Sequence, residues 1–222
     1  MMRYYPIFLD IQNRNCLVVG GGTVGTRKVM TLLGCGATVM VVSPDVTSTL
    51  QALSKNGIIT LAKRPFQAFD LNDKFLVIGA TDNPPLNREI HTAAERLGIL
   101  YNIADCPESC NFILPSIVSR GDLVIAISTS GTSPAFAKKL RKDLEKEFGK
   151  EYAIFLKLMG AIRKKRLANN NEPEANKHVF EQLINSGLVQ MIKDRKNREI
   201  NQLLLEILGE GFNFDQLMKT VS

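Results

Sequence analysis

A chain of 222 residues, 45% of them hydrophobic, buries a full core and has room for one large domain and a smaller one. Four cysteines are too few for a disulfide scaffold, and no apolar run approaches the length of a membrane span. The net charge of +6 favours an anionic partner such as nucleic acid, lipid headgroups or a polycarboxylate, and residues 134–222 carry most of it, with 17 basic side chains against 12 acidic ones.

The first ten residues hold only a brief apolar stretch cut by Asp10, so neither a secretion signal nor an anchor is expected, and a cytoplasmic location follows. The next segment is the most informative. Leu17, Val18 and Val19 read as a buried parallel strand that enters a glycine cluster, and the pattern from Thr23 to Leu33 reads as a helix stopped by Gly34 and Gly36. Gly20, Gly22 and Gly25 fit G-x-G-x-x-G: Gly20 turns the chain, Gly22 lacks the Cβ that would block a pyrophosphate, and Gly25 lets the helix approach the strand. The free N–H groups at the helix start, Thr23 and Val24, face the phosphates. Glycine clusters also make ordinary turns; the surrounding β-α-β frame is what favours a dinucleotide.

Strands are expected at Thr38–Ser43, Ile58–Leu61, Lys74–Ala80 and Ile99–Ile103, alternating with helices at Val46–Lys55 and Leu86–Leu97. Such alternation predicts an α/β fold, a parallel sheet with helices on both faces, whose ligands lie beyond the carboxyl ends of the strands. Those ends carry the glycine loop, Ser43 to Asp45, Thr81-Asp82-Asn83, and Asn102 to Asp105. Asp45 stands about twenty residues beyond the motif, where an acid grips the ribose hydroxyls; capping of the following helix is an equal reading. No Arg or Lys occurs from Val41 to Leu50, which favours NAD over NADP. Asp105, just after a strand and before Pro107, is the best-placed general base, with a turn aspartate as the alternative.

Phe112–Ser119 and Leu123–Ser128 are strand-like, and the tight turn Arg120-Gly121-Asp122 between them predicts an antiparallel hairpin. A hydroxyl-rich loop follows. Ser133 reads as an N-cap and Pro134 as the first residue of a helix over Ala135–Phe148, so Ser128, Thr129, Ser130, Thr132 and Ser133 stand ready to cap that helix and to hold a carboxylate or phosphate. The remainder reads as helix: Tyr152–Ala168, a break at 169–173, Glu174–Asn185, and two shorter segments ending near Leu208. Cys16 and Cys35 read as small hydrophobes, and Cys106 and Cys110 as unpaired thiols. With only His91 and His178 in the chain, no metal site is expected. His91 reads as a helix-face residue and Arg163–Arg166 as a solvated face.

Six segments taken together, Tyr5–Asp10, Cys16–Gly22 with Arg27-Lys28, Gly79–Asp82, Asn102–Asp105, Phe112–Ser116 and Ser130–Pro134, resemble one family. It is the siroheme synthase type of precorrin-2 dehydrogenase, some members of which are also sirohydrochlorin ferrochelatases. The resemblance runs from residue 3 to about residue 145, thins in the C-terminal third, and is to a form without the fused methyltransferase domain, whose reaction would fall to another chain. It implies a Rossmann-like NAD-binding domain over 1–113, a hairpin and helix dimerisation segment over 114–148, and an all-helical domain over 149–222. It further implies a homodimer that moves a hydride from precorrin-2 to NAD, with Asp105 removing a proton and, in bifunctional members, assisting Fe2+ insertion. Asn102 and the 128–133 loop would hold the tetrapyrrole. A non-catalytic NAD(H) sensor with a basic helical tail is the competing expectation. Nucleic-acid binding is disfavoured by the acids interleaved in Ala135–Phe148, and neither nucleic acid nor membrane is an expected partner. A short-chain dehydrogenase lacks its Tyr-x-x-x-Lys here, and a P-loop is disfavoured because Gly25 is followed by Thr26-Arg27.

Overall fold

The computed structural model describes residues 3–104, 106, 110–169 and 173–220, without the side chains of 168, 169 and 173–176. The chain divides into two compact units that meet between Leu114 and Pro115. In the first, Cys16 through Gly21 of β1 (Asn15–Gly21) are all buried, as a strand covered on both faces requires. It pairs in parallel with β2 (Thr38–Val46) and β4 (Leu76–Gly79); β3 (Thr60–Ala62) and β5 (Leu100–Ile103) form the borders of a five-stranded sheet ordered β3-β2-β1-β4-β5.

Side chains alternate across this sheet. Cys16, Val18, Val39, Val41, Leu76 and Ile78 meet Val29 and Leu32 of α1 (Thr23–Gly34) and Leu50 of α2 (Ser48–Lys55) on one face. Leu17, Val19, Val42, Val77, Tyr101 and Ile103 meet Ile90 and Ala94 of α3 (Pro84–Leu97) on the other. The expected α/β fold with helices on both faces is therefore the observed one. Because α1 leads from β1 to β2 while the next crossovers return to the far side of β1, the order of strands reverses between β1 and β4. That reversal opens a crevice at their carboxyl ends.

Three local differences from the sequence reading have physical causes. The strand β2 continues through Pro44 to Val46 with a register shift opposite Val19–Gly21, so α2 starts later than Val46 and its N-cap is Thr47, whose hydroxyl accepts from Leu50 N–H. The capping role weighed for Asp45 thus belongs to Thr47. A 3₁₀ turn at Ala68–Leu71 is held by Asp70, which accepts from Gln67 N–H at 2.9 Å and from both terminal guanidinium nitrogens of Arg64. Finally, of the expected strand Phe112–Ser119 only β6 (Ser116–Arg120) forms; the chain at 110–112 instead lies along β5.

In the second unit β6 and β7 (Leu123–Ile127) pair antiparallel around the two-residue turn Gly121-Asp122, with Gly121 at φ 61°. Val118 and Ile127 pack on Ala137 of α4 (Pro134–Glu147), while Arg120 donates to the carbonyls of Phe148 and Glu145 at 2.7 and 3.0 Å, fastening the end of α4 to the hairpin. Ile117 and Val124, on the other face, stay exposed. Leu158 and Ile162 of α5 (Glu151–Asn169) form a second core with α6 (Pro173–Asn185), α7 (Leu188–Lys193), α8 (Asn197–Leu208) and α9 (Phe214–Lys219). The pattern ending near Leu208 omits α9, a six-residue helix capped by Asn213. No helix among the described residues is long and apolar enough to cross a membrane.

Candidate functional site

The glycine loop between β1 and α1 is shaped by close backbone contacts. Gly20 sits at φ 113°, and a Cβ there would overlap the Ala80 carbonyl at the end of β4. A Cβ at Gly25 would overlap the Gly20 carbonyl, so the helix rests directly on the turn below it. Gly22 is the opposite case: nothing lies within 4 Å of the position its Cβ would take. It is the N-cap of α1, yet no side chain caps that helix, and Gly22, Thr23 and Val24 are all exposed. The first-turn N–H groups and the positive end of the helix dipole therefore face an open, Cβ-free cradle with the shape and polarity for a pyrophosphate. Sequence reasoning missed Gly21, whose Cβ would overlap the Asp45 carbonyl and crowd Val46; β2 passes so close that only glycine fits.

The other strand ends gather at the same edge. Ala80 N–H donates to Val19 at 2.7 Å, Ala104 N–H to Gly79 at 2.8 Å, and Thr47 N–H to Gly21 at 3.0 Å. Ser43 is buried and its hydroxyl donates to the Asp45 carbonyl at 2.7 Å, which shapes the β2 irregularity and leaves the Asp45 carboxylate exposed beside the glycine loop. The Thr81 hydroxyl lies 2.7 Å from the Asn87 side-chain oxygen, and Asn87 donates back to the Thr81 carbonyl at 3.1 Å. Thr81 thereby fixes the turn into α3 while Asp82 is exposed. Asn87, one turn into α3, was not singled out in the sequence because its partner is six residues away.

Asp105 lies outside the described residues. Asn102 is 8% exposed and donates to the Phe112 carbonyl at 3.0 Å, so its amide holds neighbouring chain against β5. All four cysteines are free thiols. Burial, with a contribution from Cys35, pushes Cys16 up to about 11, and burial likewise raises the Cys110 thiol above its ordinary value; neither presents a thiolate.

In the second unit the hydroxyl loop largely satisfies itself. Ser128 Oγ accepts from Ser130 N–H at 3.0 Å, Thr129 Oγ1 from Ser133 N–H at 3.2 Å, and Ser133 Oγ from Phe136 N–H at 3.3 Å as the N-cap of α4. Ser130 at φ 51° and Gly131 at φ 84° turn the loop tightly. The exposed hydroxyls of Ser130 and Thr132 make no hydrogen bond among the described residues.

Comparison with known proteins matches both regions. Residues 7–116 fit a family model for NAD(P)-binding, and residues 120–147 fit one described as the central part of sirohaem biosynthesis proteins. A siroheme synthase of Nitrosococcus oceani is 36% identical over 211 residues, 95% of this chain and 45% of that protein. One of Methylococcus capsulatus is 34% identical over 92% of this chain and 43% of the relative. The chain thus spans less than half the length of the curated relatives it matches. Among solved structures, SirC, a precorrin-2 dehydrogenase, superposes with a TM-score of 0.77 at 26% identity, covering 92% of this chain and 98% of that one.

Proposed function

Since the chain belongs to the siroheme synthase family, we propose that it oxidises precorrin-2 to sirohydrochlorin with NAD+. The observation that carries this reading is the uncapped, Cβ-free start of α1 at Gly22, set where the strand order reverses. NAD+, when bound, supplies the hydride acceptor. The chain's own residues do the rest: the N–H groups of Thr23 and Val24 hold the phosphates, Asp45 receives ribose hydroxyls, and the Thr81-Asp82 turn, with Ser43 behind Asp45, borders the cofactor. For each turnover the macrocycle gives up a hydride to NAD+ and a proton to a base, and that base is Asp105. Asn102 supports the segment beside the substrate. The second unit, with 18 basic and 13 acidic residues, matches a polycarboxylate in sign, and its exposed Ser130 and Thr132 hydroxyls are donors suited to carboxylates.

The exposed hairpin face supports a homodimer. A two-stranded sheet with Ile117 and Val124 uncovered on the face away from α4 buries those groups against a second copy. Ile117→Lys should convert dimer to monomer in sedimentation velocity; an unchanged dimer would place the contact elsewhere.

The decisive assay gives the purified protein precorrin-2 and NAD+ under anaerobic conditions and follows absorbance, then adds Fe2+ to test iron insertion on the same sample. Sirohydrochlorin forms only with NAD+ present. In Asp105→Ala, kcat falls by about 10²- to 10⁴-fold while NAD+ still binds. A fully active Asp105→Ala protein removes the assignment of the base, and a protein that binds NAD+ but turns over no precorrin-2 is the sensor instead.

A further inference from the structure

The border strand β5 ends one residue before Ala104, and Ala104 and Cys106 are the two neighbours of Asp105 in the chain. A border strand leaves its outward N–H and C=O groups without a sheet partner. Here the Asn111 N–H donates to the Tyr101 carbonyl at 3.2 Å, and side chains take most of the remaining places. Asn111 accepts from Tyr101 N–H at 2.8 Å through its side-chain oxygen and donates through its amide to the Ile99 carbonyl at 3.0 Å. Further along, the sulfur of Cys110, itself 8% exposed, accepts from Ile103 N–H at 3.2 Å and from the Asn102 amide at 3.5 Å. Its single proton faces the Cys106 carbonyl at 3.2 Å and the Ile103 carbonyl at 3.5 Å. Ile103 also accepts from Cys106 N–H at 3.3 Å.

We infer that Cys110 is a positioning residue for the proton-transfer step: its buried sulfur ties Ile103 and Cys106 to one point and so fixes the chain on both sides of Asp105. A side chain that merely filled space here would need no polar neighbours, whereas this thiol has four and leaves the last outward N–H of β5 satisfied. Because burial keeps it protonated, the thiol retains its donor and acts neither as nucleophile nor as thiolate ligand. The inference rests on the reading of Asp105 as base, since only then does the placement of that short stretch bear on rate.

The test compares Cys110→Ala with Cys110→Ser in the full chain, using the anaerobic NAD+ assay. Loss of the tie displaces the base, and a displacement of about 1 Å costs up to about 10²-fold in rate. For Cys110→Ala the expected result is a kcat about tenfold lower or more, with KM for NAD+ unchanged and the acid limb of the kcat–pH profile displaced. Serine keeps a donor and an acceptor, so Cys110→Ser recovers most of the rate. Unchanged kcat in Cys110→Ala, or a serine variant as slow as the alanine one, overturns the inference while leaving Asp105→Ala inactive and the proposed reaction intact. Full activity of Asp105→Ala is the separate result that defeats the reading beneath it. Should Cys110→Ala fail to fold, Asn111→Ala, which frees the same border segment, must lower kcat at constant KM for NAD+; an unaffected kcat there overturns the inference equally.

Discussion

Two helix starts in this protein, α1 in the first unit and α4 in the second, look alike in sequence as glycine- or hydroxyl-rich loops and differ in what they leave open. At α4 the first helical residue is Pro134, which has no N–H, and the Phe136 N–H is taken by Ser133. The loop before it bonds to itself through Ser128 and Thr129. At α1 no side chain caps the helix, and Gly22 opens onto space. A capped helix start is stable alone; an uncapped one keeps its donors for a ligand and loses some stability until that ligand arrives. The same local feature thus serves folding in one unit and cofactor binding in the other.

That contrast breaks most visibly at Gly22. A Cβ at Gly22 meets no neighbour in the protein, so in Gly22→Val far-UV circular dichroism should change little and stability should fall only by the roughly 1 kcal/mol of a poorer N-cap residue, yet the side chain enters the phosphate cradle. The NAD+ dissociation constant measured by calorimetry should rise about 100-fold, equivalent to roughly 2.7 kcal/mol. Retained affinity would mean that the cofactor lies elsewhere.

A third helix start, the 3₁₀ turn at Ala68, sharpens the contrast because the capping box formed by Gln67 and Asp70 contains an ionised, buried group. Burial alone would raise the Asp70 carboxyl, but hydrogen bonds from Arg64 and Gln67 N–H and the nearby positive charge hold it below the ordinary aspartate range. A depressed value means that its contribution is complete above that range and disappears as pH falls through the folded-state value. Asp70→Asn should cost about 2 kcal/mol at neutral pH and leave an acid-unfolding profile with a shallower slope below the aspartate range. An unaltered acid limb in chemical denaturation would show that Arg64 does not hold the charge.

The smallest effect belongs to α4. Ser133→Ala should lower stability by about 1 kcal/mol and leave NAD+ affinity untouched. A loss of cofactor affinity in that variant would erase the distinction between the two helix starts.

The glycine loop was legible in the sequence because its spacing is enforced by sterics: Gly20 and Gly25 touch backbone, and no other residue fits the turn. The hairpin was legible for a similar reason, since a two-residue turn with Gly121 at positive φ dictates antiparallel pairing. The start of α2 was not, because Asp45, Thr47 and Ser48 all suit a cap and only the course of β2 decides among them. Phe112 read as the start of a strand from its apolar neighbours, but the chain at 110–112 lies along β5 through the Cys110–Asn102 bridge, the Asn111 N–H and the Asn111 side chain, long-range contacts without a local pattern. The same holds for Asn102, whose buried amide serves Phe112 ten residues on. At the end of the chain α9 is too short to show a period, and Gly209 and Gly211 hide its start.

The side-chain stitching along β5 reaches beyond catalysis to how the molecule behaves in company. With Asn111 and Cys110 occupying one border of the sheet, and the other closed by a strand of only three residues, little naked ladder is left on which a stranger's strand might grow. Crowded solutions of the first unit should accordingly resist fibril seeding, and removing the Asn111 amide would expose the template.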